Sequence, residues 1–254
     1  MGDRKRVLIL GGTGEATALA ARTAEIPGVE VITSLAGRTR HPLLTSESTR
    51  IGGFGGVAGL TDYLRKQQID GLIDATHPFA AQISFNAAAA AAEIGTPHLM
   101  LIRPAWERTA GDRWIDVDDH EAAAATLPNL ARRIFLTIGR QELAAFAHLP
   151  NLWFLMRMID PPLADAAIPP GKLLLERGPF SLDHERSLLQ RYEIGAIVSK
   201  NSGGEATYAK IIAARELGIP VVMIQRPAIP PGDMVADVES ALAWVKNTLL
   251  QLEK

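Results

Sequence analysis

The chain has 254 residues, 47% of them hydrophobic, and a formal net charge of −2. That is enough apolar material for two ordinary cores, and the near balance of charge excludes a polyanion binder acting by bulk charge. The absence of cysteine excludes disulfides, zinc–thiolate sites, iron–sulfur clusters and a cysteine nucleophile. The six histidines show no paired metal-ligand spacing, so no metal site is expected.

Met1 to Arg6 runs straight into a strand pattern with no signal-type apolar segment. No apolar run reaches the ~20 residues of a membrane span, so a soluble cytoplasmic protein is expected. Val7 to Leu10 is an unbroken apolar run, as a strand covered on both faces requires. A glycine turn follows, then a helix-forming stretch from Ala16 to Ala24. Val29 to Thr33 reads as the second strand. Val57, Leu60 and Leu64 recur at helical spacing. Gly71 to Ala75 is another buried strand. Phe79, Ile83, Ala87 and Ala90 or Ala91 mark a helix that should end at Gly95, with Pro97 blocking its continuation before a strand from His98 to Ile102.

After the Ala-rich stretch Glu121 to Leu127 the order starts again. Strands are expected at Ile134 to Ile138, Leu152 to Met158, Leu173 to Leu175, Ala196 to Ser199 and Val221 to Ile224. Ser181 should cap a helix running through Gln190. Tyr208, Ile211, Ile212 and Arg215 fall along a helix ending at Gly218.

The recurrence is written into the residues. G-x-P-x-x-M-x-x-R-P-A begins at Gly95 and again at Gly218, 123 residues later. Ile69-Asp70-Gly71-Leu72-Ile73 matches Ile194-Gly195-Ala196-Ile197-Val198, and Gly52-Gly53-Phe54 matches Gly178-Pro179-Phe180. A period this long implies duplication of a whole domain. Strand–helix alternation implies parallel sheets with right-handed crossovers. The expectation is an α/β protein of two similar doubly wound, Rossmann-like domains. They would span residues 1–129 and 130–254, with the seam near Pro128 to Arg132 and a cleft between the strand carboxyl ends, where such sheets bind ligands.

The two halves differ where function should lie. After the first strand stands Gly11-Gly12-Thr13-Gly14-Glu15-Ala16, against Gly139-Arg140-Gln141-Glu142 in the second half. Closely spaced glycines let backbone amides approach a phosphate at a helix N-terminus. Thr17 occupies the third glycine position of the usual fingerprint, so a plain tight turn is the competing reading. At the end of strand two, Ser34 to Arg40 carries no acid to hold ribose hydroxyls. Ser34, Arg38 and Thr39 could instead bind a 2′-phosphate, which favours NADP over NAD. A solvated basic loop is the alternative. Five glycines between Gly52 and Gly59 cost conformational entropy and imply close backbone approach, and the embedded Phe54 argues for order. Asp74-Ala75-Thr76-His77 and Lys200-Asn201-Ser202-Gly203 end equivalent strands and should face the cleft. A lone histidine is as often structural as ligand-binding. A lysine directly after a buried strand needs an anionic partner or a ligand.

Taken together, Gly11-Gly12-Thr13-x-Glu15, Ala36-Gly37-Arg38, Ile51 to Gly56, Asp74-Ala75-Thr76-His77-Pro78-Phe79-Ala80, Arg103-Pro104-x-Trp106 and Lys200-Asn201-x-Gly203 resemble the precorrin-6A reductase family of cobalamin biosynthesis over nearly the whole chain. The resemblance implies NADPH-dependent reduction of one ring double bond of a contracted tetrapyrrole, giving precorrin-6B. A sister branch acts on the cobalt-loaded form, and overall resemblance leans to the metal-free substrate. A non-catalytic NADP-binding sensor is a rival reading. On the family reading the cofactor surface comprises Gly11, Gly12, Thr13, Gly14, Glu15 and Ala16, then Ser34, Gly37, Arg38 and Thr39. It is completed by Gly52, Gly53, Phe54, Gly55 and Gly56, with Asp74, Ala75 and Thr76. The polycarboxylate substrate should meet His77, Arg140, Arg177, Lys200, Asn201, Ser202 and Gly203, with Arg103 and Arg226 as further cations or as shared structural residues. His77 and Lys200 are the catalytic candidates, and the proton donor lies between His77 and water. Partners are the tetrapyrrole alone, with no nucleic acid and no membrane, and a monomer is expected.

Overall fold

The structure is a computed structural model that describes residues 4–37 and 48–250. In chain order it contains β1 (Lys5–Leu10), α1 (Gly14–Ala24), β2 (Val29–Leu35), β3 (Thr49–Ile51), α2 (Gly56–Lys66), β4 (Gly71–Asp74), α3 (Ala81–Ile94), β5 (His98–Leu101) and β6 (Trp114–Val117). There follow α4 (His120–Thr126), β7 (Arg133–Thr137), β8 (Trp153–Met158), β9 (Gly171–Leu175), α5 (Leu182–Arg191), β10 (Ala196–Lys200), α6 (Ala209–Glu216), β11 (Val221–Ile224), β12 (Asp233–Val235) and α7 (Val238–Leu249). Among the described residues no helix is long and apolar enough to cross a membrane.

Two parallel six-stranded sheets result. The first runs β12-β5-β4-β1-β2-β3 and the second β6-β11-β10-β7-β8-β9. Each has the doubly wound order in which the chain turns back beside its first strand, so the expected fold class is met. The apolar run of β1 explains the layering. Val7 and Ile9 join Leu19 of α1 and Val245 of α7 on one face. Leu8 and Leu10 join Leu60 and Leu64 of α2 and Ala87 and Ala91 of α3 on the other. Each of the buried valine, leucine and isoleucine side chains contributes about 1.5–3 kcal/mol. The expected stop at Gly95 is present: its backbone is left-handed (φ 70°) and its N–H donates to Ala91 O.

The division between units differs from the expected one at residues 129 and 130. The compact units are Met1–Pro104 with Ala228–Lys254, and Ala105–Pro227. β6 lies before the expected seam yet pairs with β11, Trp114 opposite Val221. β12 lies after it yet pairs with β5, Met234 opposite Met100. α7 packs beside α1 in the first unit. Both unit boundaries therefore fall inside the repeated Arg-Pro-Ala motif, at Pro104-Ala105 and Pro227-Ala228. The duplication is real, but each half sends its sixth strand into the other half's sheet. The sequence period is unchanged by that exchange, which is why the repeat alone put the seam elsewhere.

Candidate functional site

In the first unit the chain reverses direction across the sheet between β1 and β4, and the carboxyl ends of these two strands carry the glycine turn and the Asp74–His77 segment. Open α/β sheets bind ligands at this place. Thr13 ties the two segments together. Its hydroxyl donates to Ala75 O at 2.8 Å and accepts the Ala16 N–H at 3.1 Å as the N-cap of α1. Gly12 has φ +119°, and a Cβ there would meet no atom within 4 Å, so the turn keeps an open side at the helix N-terminus. Gly14 is similarly open. Glu15, in the first turn of α1, is paired with Arg103 at 2.8 Å, both side chains largely covered. That pairing neutralises an acid that would otherwise oppose an anionic ligand there, and it makes Arg103 a partner of the turn rather than a free-standing substrate cation. Asp74 is buried and accepts from Thr76 N–H (3.0 Å) and Thr76 Oγ1 (2.6 Å), which fixes the bend after β4.

The glycine-rich loop is ordered by a residue that sequence reasoning missed. Arg50 donates to Gly52 O (2.5 Å) and Gly53 O (2.6 Å), reaches Ser34 Oγ at 3.4 Å, and lies 3.9 Å over the Phe54 ring. Phe54 meets Tyr63 edge-on. Gly59 is required for contact, since a Cβ there would stand 1.8 Å from Phe54 O. Gly52, Gly53, Gly55 and Gly56 leave their open sides clear of any atom within 4 Å. Gly37 follows β2 and faces Ile51. Arg38 and Thr39 lie outside the described residues.

His77 Nδ1 accepts the Phe79 N–H at 3.2 Å, which leaves the ring proton on Nε2. An imidazolium would have to give up that bond, because both ring nitrogens are then donors. The geometry therefore suits His77 as a hydrogen-bond donor better than as a general acid.

In the second unit Lys200 ends β10, the strand between β7 and β11. The loop beyond it is held from two sides. Arg226 donates to Asn201 O (2.9 Å) and Ser202 O (3.1 Å), and Ser202 N–H folds back on Lys200 O at 2.7 Å. Asn201 is held by the chain itself: its buried amide accepts the Trp106 N–H at 2.8 Å and donates to Trp106 O at 3.1 Å, so it clamps the Trp106 backbone. Ser202 is buried and Gly203 takes a left-handed turn, so the loop presents Lys200 on a fixed backbone. Arg140 donates to Pro161 O at 3.0 Å. Arg177 lines a shallow groove of about 430 Å³ with Glu176, Phe180 and His184.

Beneath that groove is a buried charged cluster absent from the sequence reading. Arg157 of β8 forms a two-pronged pair with Glu185 of α5 (2.5 and 3.3 Å) and lies 3.7 Å over Phe180. Lys210 is buried nearby, donates to Thr207 O at 2.9 Å, and is pushed down to about 7 by burial and then by Arg157's charge. The signal was a lone arginine inside the otherwise apolar run Trp153-Phe154-Leu155-Met156-Arg157-Met158.

These features define an α/β protein of two Rossmann-like units, the first of which carries an open glycine turn at a helix N-terminus. Residues 6–246 match the family model described as precorrin-6x reductase CbiJ/CobK. The chain belongs to this family and is a reductase. It is 55% identical to the precorrin-6A reductase of Rhodococcus erythropolis over 94% of this chain and 97% of that one. A solved structure titled CobK precorrin-6A reductase superposes with a TM-score of 0.90 at 45% identity, covering 96% of this chain and 97% of that one. The cobalt-precorrin-6A reductase of Priestia megaterium is 29% identical over 95% of this chain and 98% of that one.

Proposed function

We propose that the chain reduces one ring double bond of precorrin-6A with NADPH to give precorrin-6B in cobalamin biosynthesis. The observation that carries this reading is the open glycine turn joined to the end of β4 by Thr13, in a chain of this family. The residues present fit a dinucleotide: an open backbone turn at a helix N-terminus suits a pyrophosphate, and the neutralised Glu15 does not oppose it. Gly11 to Ala16 would hold the pyrophosphate, Ser34, Gly37, Arg38 and Thr39 the 2′-phosphate end, and Gly52 to Gly56 with Asp74 to Thr76 the remainder. When bound, NADPH supplies a hydride. The chain's own work is to place the substrate and exclude water. Lys200 acts as a fixed cation for a substrate carboxylate, with Arg140 and Arg177 assisting. His77 donates a hydrogen bond through Nε2, and water delivers the proton that completes reduction of the double bond.

One cofactor binds per chain on this reading. The second unit has Gly139-Arg140-Gln141-Glu142 where the first has the glycine turn. The metal-free substrate is favoured over cobalt-precorrin-6A by 55% against 29% identity to the respective relatives. The test is NADPH oxidation on metal-free and cobalt-loaded substrates, with NADH as comparison. Faster turnover of precorrin-6A with NADPH supports the reading, and turnover of the cobalt form alone overturns the substrate assignment.

A further inference from the structure

Arg50 lies in β3, the edge strand of the first unit's sheet, directly opposite Ser34 of β2. Its Nη1 reaches Ser34 Oγ at 3.4 Å. Ser34 is buried, and its carbonyl accepts the Gly11 N–H at 2.9 Å. A single residue therefore joins the guanidinium to the glycine turn. Ser34 also stands at the end of the second strand, about 20 residues beyond that turn, where a dinucleotide fold meets the adenosine ribose. An acid at that place holds ribose hydroxyls, whereas a hydroxyl beside an arginine suits a phosphate. The remaining bonds pin the guanidinium: it donates to Gly52 O at 2.5 Å and Gly53 O at 2.6 Å and lies 3.9 Å over the Phe54 ring. Arg50 is half-buried, and among the described residues its partners are two carbonyls, a hydroxyl and the rings of Phe54 and Tyr63, with no carboxylate among them. A guanidinium has five N–H donors. These contacts use both on Nη1 and one on Nη2, so Nε and the second Nη2 hydrogen can still meet an anion, at little further cost in side-chain entropy.

We infer that Arg50 is a specificity-determining residue for the cofactor: with Ser34 it receives the 2′-phosphate of NADPH at the end of β2, while its bonds to Gly52 O and Gly53 O hold the glycine loop in place. This inference rests on the NADPH reading, and it adds to Arg38 a cation whose position the strand pairing and the loop carbonyls fix. The two tasks are separable. Ordering the loop serves NADPH and NADH alike, whereas meeting a 2′-phosphate serves NADPH alone.

The test is titration calorimetry of the full chain with adenosine 2′,5′-bisphosphate and with AMP, repeated with NADPH and NADH. Wild type should bind the bisphosphate at least about tenfold more tightly than AMP, the effect of a charge-assisted hydrogen bond. Arg50→Gln keeps an amide donor for the loop carbonyls but no charge. It should lose about tenfold in affinity for the bisphosphate and for NADPH, with AMP and NADH within about threefold of wild type. Arg50→Lys keeps the charge and loses the two-pronged grip on the loop, so its preference for the bisphosphate should fall between those of wild type and Arg50→Gln. Arg50→Ala loses both, so all four ligands should weaken, the two with a 2′-phosphate by about tenfold more. The glutamine and lysine variants carry the comparison if the alanine variant fails to fold. If Arg50→Gln weakens AMP and the bisphosphate by the same factor, Arg50 only orders the loop and this inference alone is overturned. Unchanged affinities in Arg50→Gln overturn it equally. A lysine variant with no more preference than the glutamine variant would trace the effect to loop geometry and overturn it too. If wild type itself does not favour the bisphosphate over AMP, the NADPH reading falls, and this inference with it.

Discussion

Replacing Lys210 with methionine should stabilise the second unit and flatten its response to pH. Lys210 is 3% exposed and sits in the first turn of α6, where the helix dipole disfavours a cation. Its folded-state value of about 7 stands against 10.5 in the unfolded chain. The unfolded state therefore binds more protons than the folded state between those values, so stability rises with pH across that window. The penalty is fully present below 7 and vanishes above 10.5. By linkage it is about 4 kcal/mol at pH 7 and about 2 kcal/mol at pH 9. Methionine removes the penalty but loses the bond to Thr207 O and the contact 4.7 Å over the Trp106 ring, together about 2 kcal/mol. A net gain of about 2 kcal/mol at pH 7 follows, shrinking to near zero at pH 9. Urea unfolding followed by tryptophan fluorescence reports mainly on this unit, which holds three of the four tryptophans, Trp106, Trp114 and Trp153, while Trp244 lies in the first unit and is replaced by phenylalanine in both proteins compared. Wild type should gain stability from pH 7 to pH 9 while Lys210→Met does not. Parallel pH curves for the two proteins would refute the reasoning.

Arg38→Ala should weaken NADPH binding by about 1.5–3 kcal/mol and leave NADH almost unchanged in titration calorimetry; equal losses would remove Arg38 from the 2′-phosphate. Gly59→Ala should displace the Phe54 loop, because the added Cβ lands 1.8 Å from a backbone oxygen. The cost is about 3 kcal/mol or more, read as a lower melting temperature together with a higher KM for NADPH. His77→Ala should slow single-turnover hydride transfer by about tenfold or less and keep the wild-type pH profile, since one neutral hydrogen bond is lost. A loss of about 10²–10⁴-fold with an altered profile would identify His77 as the acid after all.

The central strands were legible because an unbroken apolar run such as Val7 to Leu10 has few alternatives to burial on both faces. Three of the four edge strands were not. Thr49–Ile51, Trp114–Val117 and Asp233–Val235 are three or four residues long and mixed in polarity, so they carry no clear period. The exchange of β6 and β12 leaves no trace in a repeat, because partner choice at a sheet edge does not change sequence spacing. At the site, the glycine turn was legible from its composition and from its absence in the second half. The Asn201 clamp gave no sequence signal, because its partner is the backbone of Trp106, 95 residues away. Arg103 and Arg226 align in the repeat but hold different things, a carboxylate in one unit and a pair of carbonyls in the other.

The most direct test of the proposed reaction uses NADPH carrying two deuterium atoms at nicotinamide C4, with precorrin-6A, in ordinary water. One deuterium should appear in the tetrapyrrole product. In the reverse experiment, unlabelled NADPH in deuterated water should place one solvent deuterium on the reduced bond, as delivery of the proton by water requires. A product that carries no cofactor-derived deuterium would contradict the account.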